Sequence, residues 1–208
     1  METAFCFEFE ADGIYRLRIP FAEIYTSVFL IVAEKCRILV DCATTEHDVD
    51  CCIVSALKKM DYELSDIDTI VLTHRHGDHA GGLDRIMALN PHIKVVSDLG
   101  MLCENIYTYP MPGHTRDSIG VLDIRTGTLI AGDGLQGAGV DRFPCYTQDQ
   151  EAYVQTIERI RCDTAIENLL FSHAYEPWCA DRQIGRTNVL KCLKLCIDEI
   201  EKTKKENG

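Results

Sequence analysis

Several features are absent from this sequence, and each absence excludes something. Its eleven cysteines contain no Cys-x-x-Cys pair and their number is odd, so neither a zinc ribbon, a finger nor a thioredoxin-like motif is indicated. The longest apolar run, around Val28–Ala33, is far too short to span a bilayer, and the opening stretch METAFCFEFEADG is acidic where a targeting segment would be basic. No cluster of Lys and Arg occurs. Acidic residues outnumber basic ones by 33 to 21, and the resulting charge of −12 repels a phosphate backbone. The segment TKKENG at the end reads as a solvated helix tail. There is no fixed-period repeat, no low-complexity segment and no Pro/Gly/Ser-rich linker. The expectation is a soluble, cytoplasmic, single domain over residues 1–208 whose partner is a small molecule rather than nucleic acid or a membrane. Most cysteines are then expected to be buried free thiols in a reducing compartment. Cys192 and Cys196, four apart, fit one helix face, and Cys51 and Cys52 fall in a helical pattern.

What is present is a set of short apolar or alternating runs, SVFLIVAE, CRILVD, DTIVLTH, IKVVS, IGVLDI, TLIAGD and NLLFSH, rich in Val, Ile and Leu as buried strands are. Helical spacing separates several of them. Val49, Ile53, Ala56, Leu57 and Met60 mark a helix over His47–Met60, and Leu83–Asn90 ends at an Asn-Pro stop. Thr147-x-x-Gln150 resembles a capping box ahead of Tyr153, Ile157 and Ile160. From about Asn188, the residues Leu190, Leu193, Ile197 and Ile200 form the apolar stripe of a closing helix.

Four of the strand-like runs end in a group able to bind metal: Asp41, His74, Asp133 and His173, while the turn PMPG delivers His114. Sheets place ligands at the ends of their strands, so residues far apart in sequence can be gathered there. The densest stretch is LTHRHGDHAGG, Leu72–Gly82. Its His74, His76, Asp78 and His79 cannot all point one way on a helix, whereas a loop made pliable by Gly77 can aim them at two neighbouring centres. Neutral imidazole and carboxylate are donors that zinc, iron and manganese accept.

With these residues in view the sequence resembles the metallo-β-lactamase superfamily. Its His-x-His-x-Asp-His signature reads here as His74, His76, Asp78 and His79, followed in order by PGHT with His114, AGDG with Asp133 and FSHA with His173, and preceded by LVD with Asp41. The resemblance implies an α+β fold, a four-layer αβ/βα sandwich. It also implies a two-metal site in which His74, His76 and His114 hold one ion, Asp78, His79 and His173 the other, and Asp133 bridges them. Asp41 becomes an outer partner of the ligands. Cys42 departs from the residue types usual beside it and reads as a core thiol rather than a ligand.

The implied cofactors are two divalent ions, zinc first, with iron or manganese as alternatives. Such a pair, about 3.5–4 Å apart, shares one water, brings its pKa to about 7 and stabilises the oxyanion formed on attack. Asp78 is the catalytic carboxylate, orienting the nucleophile or taking its proton. The expected reaction is hydrolysis of an ester, thioester or lactone carbonyl of a small molecule by the metal-bridging hydroxide. The set looks most like hydroxyacylglutathione hydrolases and lactonases, although only 35 residues follow His173, too few for the helical substrate domain of the former. The alternatives are an iron-dependent redox enzyme of the persulfide dioxygenase kind and a phosphodiesterase. Arg75 and Arg116 are weaker candidates to meet an anionic substrate, and Phe143, Tyr146 and Tyr175 to wall it. His47 and His92 read as surface residues.

Overall fold

A computed structural model describes residues 5–140, 142–174 and 180–206. The chain divides into two compact units, Met1–Asp98 and Leu99–Gly208, each with its own sheet and core.

The first unit is a six-stranded sheet in sequence order. Strands β1 (Glu8–Ala11), β2 (Ile14–Phe21), β3 (Ile24–Ala33) and β4 (Cys36–Val40) pair antiparallel; β5 (Thr69–Val71) and β6 (Lys94–Val96) continue it in parallel. A parallel pair needs a crossover, and the β4–β5 connection supplies a helical run. It consists of α1 (Glu46–Asp48), a π-helical stretch Val49–Val54 and α2 (Ser55–Lys58). Thr45 caps it by a capping box with Asp48, and Val49, Ile53, Ala56 and Leu57 face the core as their spacing requires. The short α3 (Gly77–Ala80) and α4 (Leu83–Leu89) fill the crossover to β6. Asn90 closes α4, its Nδ2 donating to the carbonyls of Leu64 and Ile67. Arg16 on β2 is fully buried, its Nε 2.9 Å from the Glu10 carboxylate and its guanidinium over the Phe29 ring. Cys36 is disulfide-bonded.

The second unit repeats the plan with the order β12–β11–β10–β9–β8–β7. Its strands are β7 (Met101–Cys103), β8 (Ile106–Pro110), β9 (Ile119–Asp123), β10 (Thr128–Ile130), β11 (Asn168–Leu170) and β12 (Arg182–Ile184). Only β10 and β11 run parallel, and α5 (Gln150–Cys162) lies in their connection. The cap of α5 is Asp149, accepting from the Ala152 amide, rather than the Thr147 expected from the sequence, whose hydroxyl is engaged elsewhere. Helix α6 (Arg186–Glu206) buries Val189, Cys192, Leu193, Cys196 and Ile200. Leu190, expected in that stripe, is 39% exposed, because the two cysteines define the inner face. Cys103 is disulfide-bonded, and Cys6, Cys51 and Cys162 are exposed, which corrects the expectation that most cysteines are buried free thiols.

Candidate functional site

In the first unit the ligand candidates sit at the carboxyl ends of the adjacent parallel strands β4 and β5. Val40 pairs with Val71, so Asp41 and Thr73 emerge together, and the Asp41 amide donates to the Val71 carbonyl at 2.8 Å. Asp41 takes a left-handed backbone, φ 63°, which Asp tolerates better than most residues. Its buried carboxylate accepts the Thr73 amide at 2.8 Å, the Thr73 hydroxyl at 2.8 Å and His79 Nδ1 at 2.7 Å. A carboxylate can only accept, so the hydrogen of the neutral His79 ring lies on Nδ1 and Nε2 keeps its lone pair. Asp78 Oδ2 lies 3.4 Å from that Nε2.

The motif is held from below by Cys42. Its amide and its thiol both donate to the His79 carbonyl, at 2.8 and 3.1 Å, and burial pushes the thiol up to about 12. Cys42 is therefore a protonated positioning group, in line with the reading that it is a core thiol. Gly77 is not the pliable element the sequence suggested: it opens the helical turn of α3, and a side chain there would meet nothing. The glycines that matter are Gly81, where a Cβ would overlap the Thr44 carbonyl, and Gly82, where it would overlap the Cys42 carbonyl. Packed this way, His74 and His76 face each other edge to face, with His74 Nε2 3.0 Å from His76 Nδ1. Two nitrogens bound to one tetrahedral zinc at about 2.0–2.1 Å lie roughly 3.3 Å apart, so this pair fits a shared cation.

The second unit uses the same device. Ile130 on β10 pairs with Leu170 on β11, and Asp133 and His173 each follow three residues later, at the same end of neighbouring parallel strands. His114 comes from the turn after β8. Gly113 precedes it with φ 143°, and a Cβ there would approach Tyr153 Cβ to 2.6 Å, so α5 sets the position of this turn. Asp133 is 1% exposed, and its two oxygens serve different histidines: Oδ2 is 3.5 Å from His114 Nε2 and Oδ1 is 3.1 Å from His173 Nε2. On the far side of the His114 ring, Nδ1 meets the Thr147 hydroxyl at 3.0 Å and the Cys145 thiol at 3.3 Å. Cys145, Asp133 and His114 each place a ligand atom within 4.8 Å of the others. Sequence reasoning missed Cys145 and the role of Thr147, since only a lone Cys and Thr in an irregular loop announce them.

A superfamily pattern, that of the metallo-β-lactamase superfamily, matches residues 22–100. Over that stretch the chain resembles the members of this superfamily. A β-lactamase-like protein 2 homolog of Drosophila melanogaster is 29% identical over 164 residues, 65% of this chain and 54% of that protein. A hydroxyacylglutathione hydrolase of Legionella pneumophila (strain Corby) is 28% identical over 136 residues, 52% of this chain and 53% of the enzyme. The chain thus spans about half the length of these curated relatives. The crystal structure of the metallo-β-lactamase FIM-1 from Pseudomonas aeruginosa, in its mono-zinc form, superposes with a TM-score of 0.68 at 18% identity, covering 95% of this chain and 96% of that one. The α+β sandwich expected from the motifs is therefore the fold found.

The weaker candidates divide. Arg75 and Arg116 are exposed, and the Arg116 amide donates to Gln148 Oε1. Tyr146 packs against the core with its ring 5.9 Å from that of Tyr153, and Phe143 is half-buried on the same core. Tyr175 lies outside the described residues. His47 and His92 are exposed, as expected. Among the described residues no helix is long and apolar enough to cross a membrane.

Proposed function

We propose that this chain is a dinuclear metal-dependent hydrolase acting on the carbonyl of a small ester, thioester or lactone. The observation that carries this reading is Asp133, a buried carboxylate presenting one oxygen to His114 and the other to His173, as a residue shared by two cations must. In this proposal the two units work as the single domain 1–208. By the resemblance, His74, His76 and His114 would hold one ion and Asp78, His79 and His173 the other, with Asp133 shared between them. Zinc is the metal we assign, with iron and manganese accepted by the same donors. When bound, such ions supply a water of lowered pKa and Lewis-acid stabilisation of an oxyanion.

The chain's own residues do the rest. Asp41 fixes the tautomer of His79, Cys42 anchors the loop that carries it, and Asp78 orients the attacking water and takes its proton. Similarity to the Legionella hydroxyacylglutathione hydrolase favours a thioester among the three substrate classes. The net charge of −12 favours a small molecule over nucleic acid or a membrane as partner. The cytoplasmic location is proposed on the eight free cysteines among the described residues, against which stand the disulfide-bonded Cys36 and Cys103.

Elemental analysis under saturating zinc, with a panel of activated thioesters, esters and lactones, tests the reading. Two ions per chain and chelator-sensitive hydrolysis are expected. Asp133→Ala should lose more metal than His173→Ala, while Asp78→Ala keeps the metal held by His74, His76 and His114 but hydrolyses little. A folded Asp133→Ala protein holding two ions tightly with normal turnover overturns the assignment. Oxygen uptake with a persulfide in place of hydrolysis overturns the reaction class.

A further inference from the structure

Helix α6 carries two cysteines one turn apart on its buried face. Cys196 is fully buried and Cys192, 5% exposed, sits at the edge of that face. The neighbouring Cys192 thiol, with burial, pushes the Cys196 thiol up, and the neighbouring Cys196 thiol draws that of Cys192 down against the opposing effect of burial. The other buried thiols of the described chain behave differently: burial pushes Cys42 and Cys52 each up to about 12, and Cys145 lies against His114.

Cys192 also lines a cavity of about 270 Å³ in the second unit, with Phe143, Gln183, Asn188, Lys191 and Leu195 around it. This volume falls just below the roughly 300–1,000 Å³ of drug-sized ligand sites, which suits a smaller molecule. Phe143 and Leu195 offer apolar contact and Gln183 an amide. Lys191 is the one charged group among the described lining residues, so the cavity selects for an anion.

We propose that Cys192 is a thiol-modification site for small carboxylate-bearing organic disulfides, seated in this cavity with the carboxylate toward Lys191. The thiol, having released its proton to solvent, attacks one sulfur of the disulfide. A bond forms between Cys192 Sγ and that sulfur, the old sulfur–sulfur bond breaks, and the other half leaves as a thiolate that takes up a proton. Cys192 is oxidised and the leaving half is reduced; Cys196 keeps its own proton throughout. The adduct persists, because residues four apart on a helix hold their Cβ atoms about 5–6 Å from each other whereas a disulfide needs about 3.5–4.5 Å. Cys196 therefore cannot displace the bound half without breaking α6.

The test compares two disulfides of equal length and opposite charge, 3,3′-dithiodipropionate and cystamine, on the full-length native protein. Peptide mass spectrometry follows adduct formation at Cys192 and at the exposed Cys162 in the same molecules. The ratio of Cys192 to Cys162 modification should be at least threefold higher with dithiodipropionate, and Lys191→Gln should remove that preference while leaving Cys162 unchanged. An equal ratio for both disulfides, a preference that survives Lys191→Gln, or a Cys192 modified only after denaturation overturns the proposal.

Discussion

Replacing Asp41 by alanine strips the first unit of one buried acceptor on which three donors depend: the Thr73 amide, the Thr73 hydroxyl and His79 Nδ1. Thr73 is 1% exposed and His79 fully buried, so water does not replace the lost carboxylate without rearrangement. A buried donor left without its acceptor costs about 1–3 kcal/mol, and even at the low end three donors give about 3 kcal/mol. For a chain of this size each kcal/mol lowers Tm by roughly 2–4 °C, so Asp41→Ala should unfold about 6–12 °C below the parent. The measurement is thermal unfolding by circular dichroism in excess chelator, which removes any contribution from bound metal. Asp41→Asn should lose less, since its amide oxygen still accepts from Thr73 while its NH₂ repels the Nδ1 hydrogen. A metal-free Asp41→Ala protein melting within roughly 2 °C of the parent refutes the claim that this carboxylate organises the loop.

The other predictions concern the second unit and the buried thiols. Gly113→Ala forces a side chain into the left-handed region and against Tyr153, which is fully buried and cannot retreat; a loss of about 1–3 kcal/mol is expected, and an unchanged urea midpoint contradicts it. Burial, with Asp48 and Cys51 nearby, raises Cys52 from 9.0 to about 12, and burial with Asp163 raises Tyr109 from 10.0 to about 12. Both hold their protons more tightly folded than unfolded, so this stabilisation is complete below about pH 9 and is lost as the pH rises toward 12. Urea midpoints that stay level across that window count against it.

The sequence by itself determined which residues are the candidates for the chemistry. Apolar strands ending in Asp41, Asp133 or His173 are legible because a buried strand must be apolar and a ligand at its end must not be, and that contrast survives without coordinates. The same logic exposed β3, β4 and the helical run from His47, where period and burial agree. It hid β2, whose Arg16 is buried only because Glu10 and Phe29 meet it from other strands. It hid the face of α6 as well, because a cysteine reads as neither clearly core nor clearly surface.

Tertiary structure alone decided the neighbours. That Asp41 holds His79, that Cys42 supports the loop through the His79 carbonyl, that Gly81 and Gly82 rather than Gly77 are the constrained glycines, and that Thr147 and Cys145 back His114 all depend on contacts between segments distant in sequence. No local pattern encodes such pairs. The register of β4 on β5 brings Asp41 beside Thr73 and that of β10 on β11 brings Asp133 beside His173, and register is fixed by the packing of whole sheets rather than by the residues that profit from it.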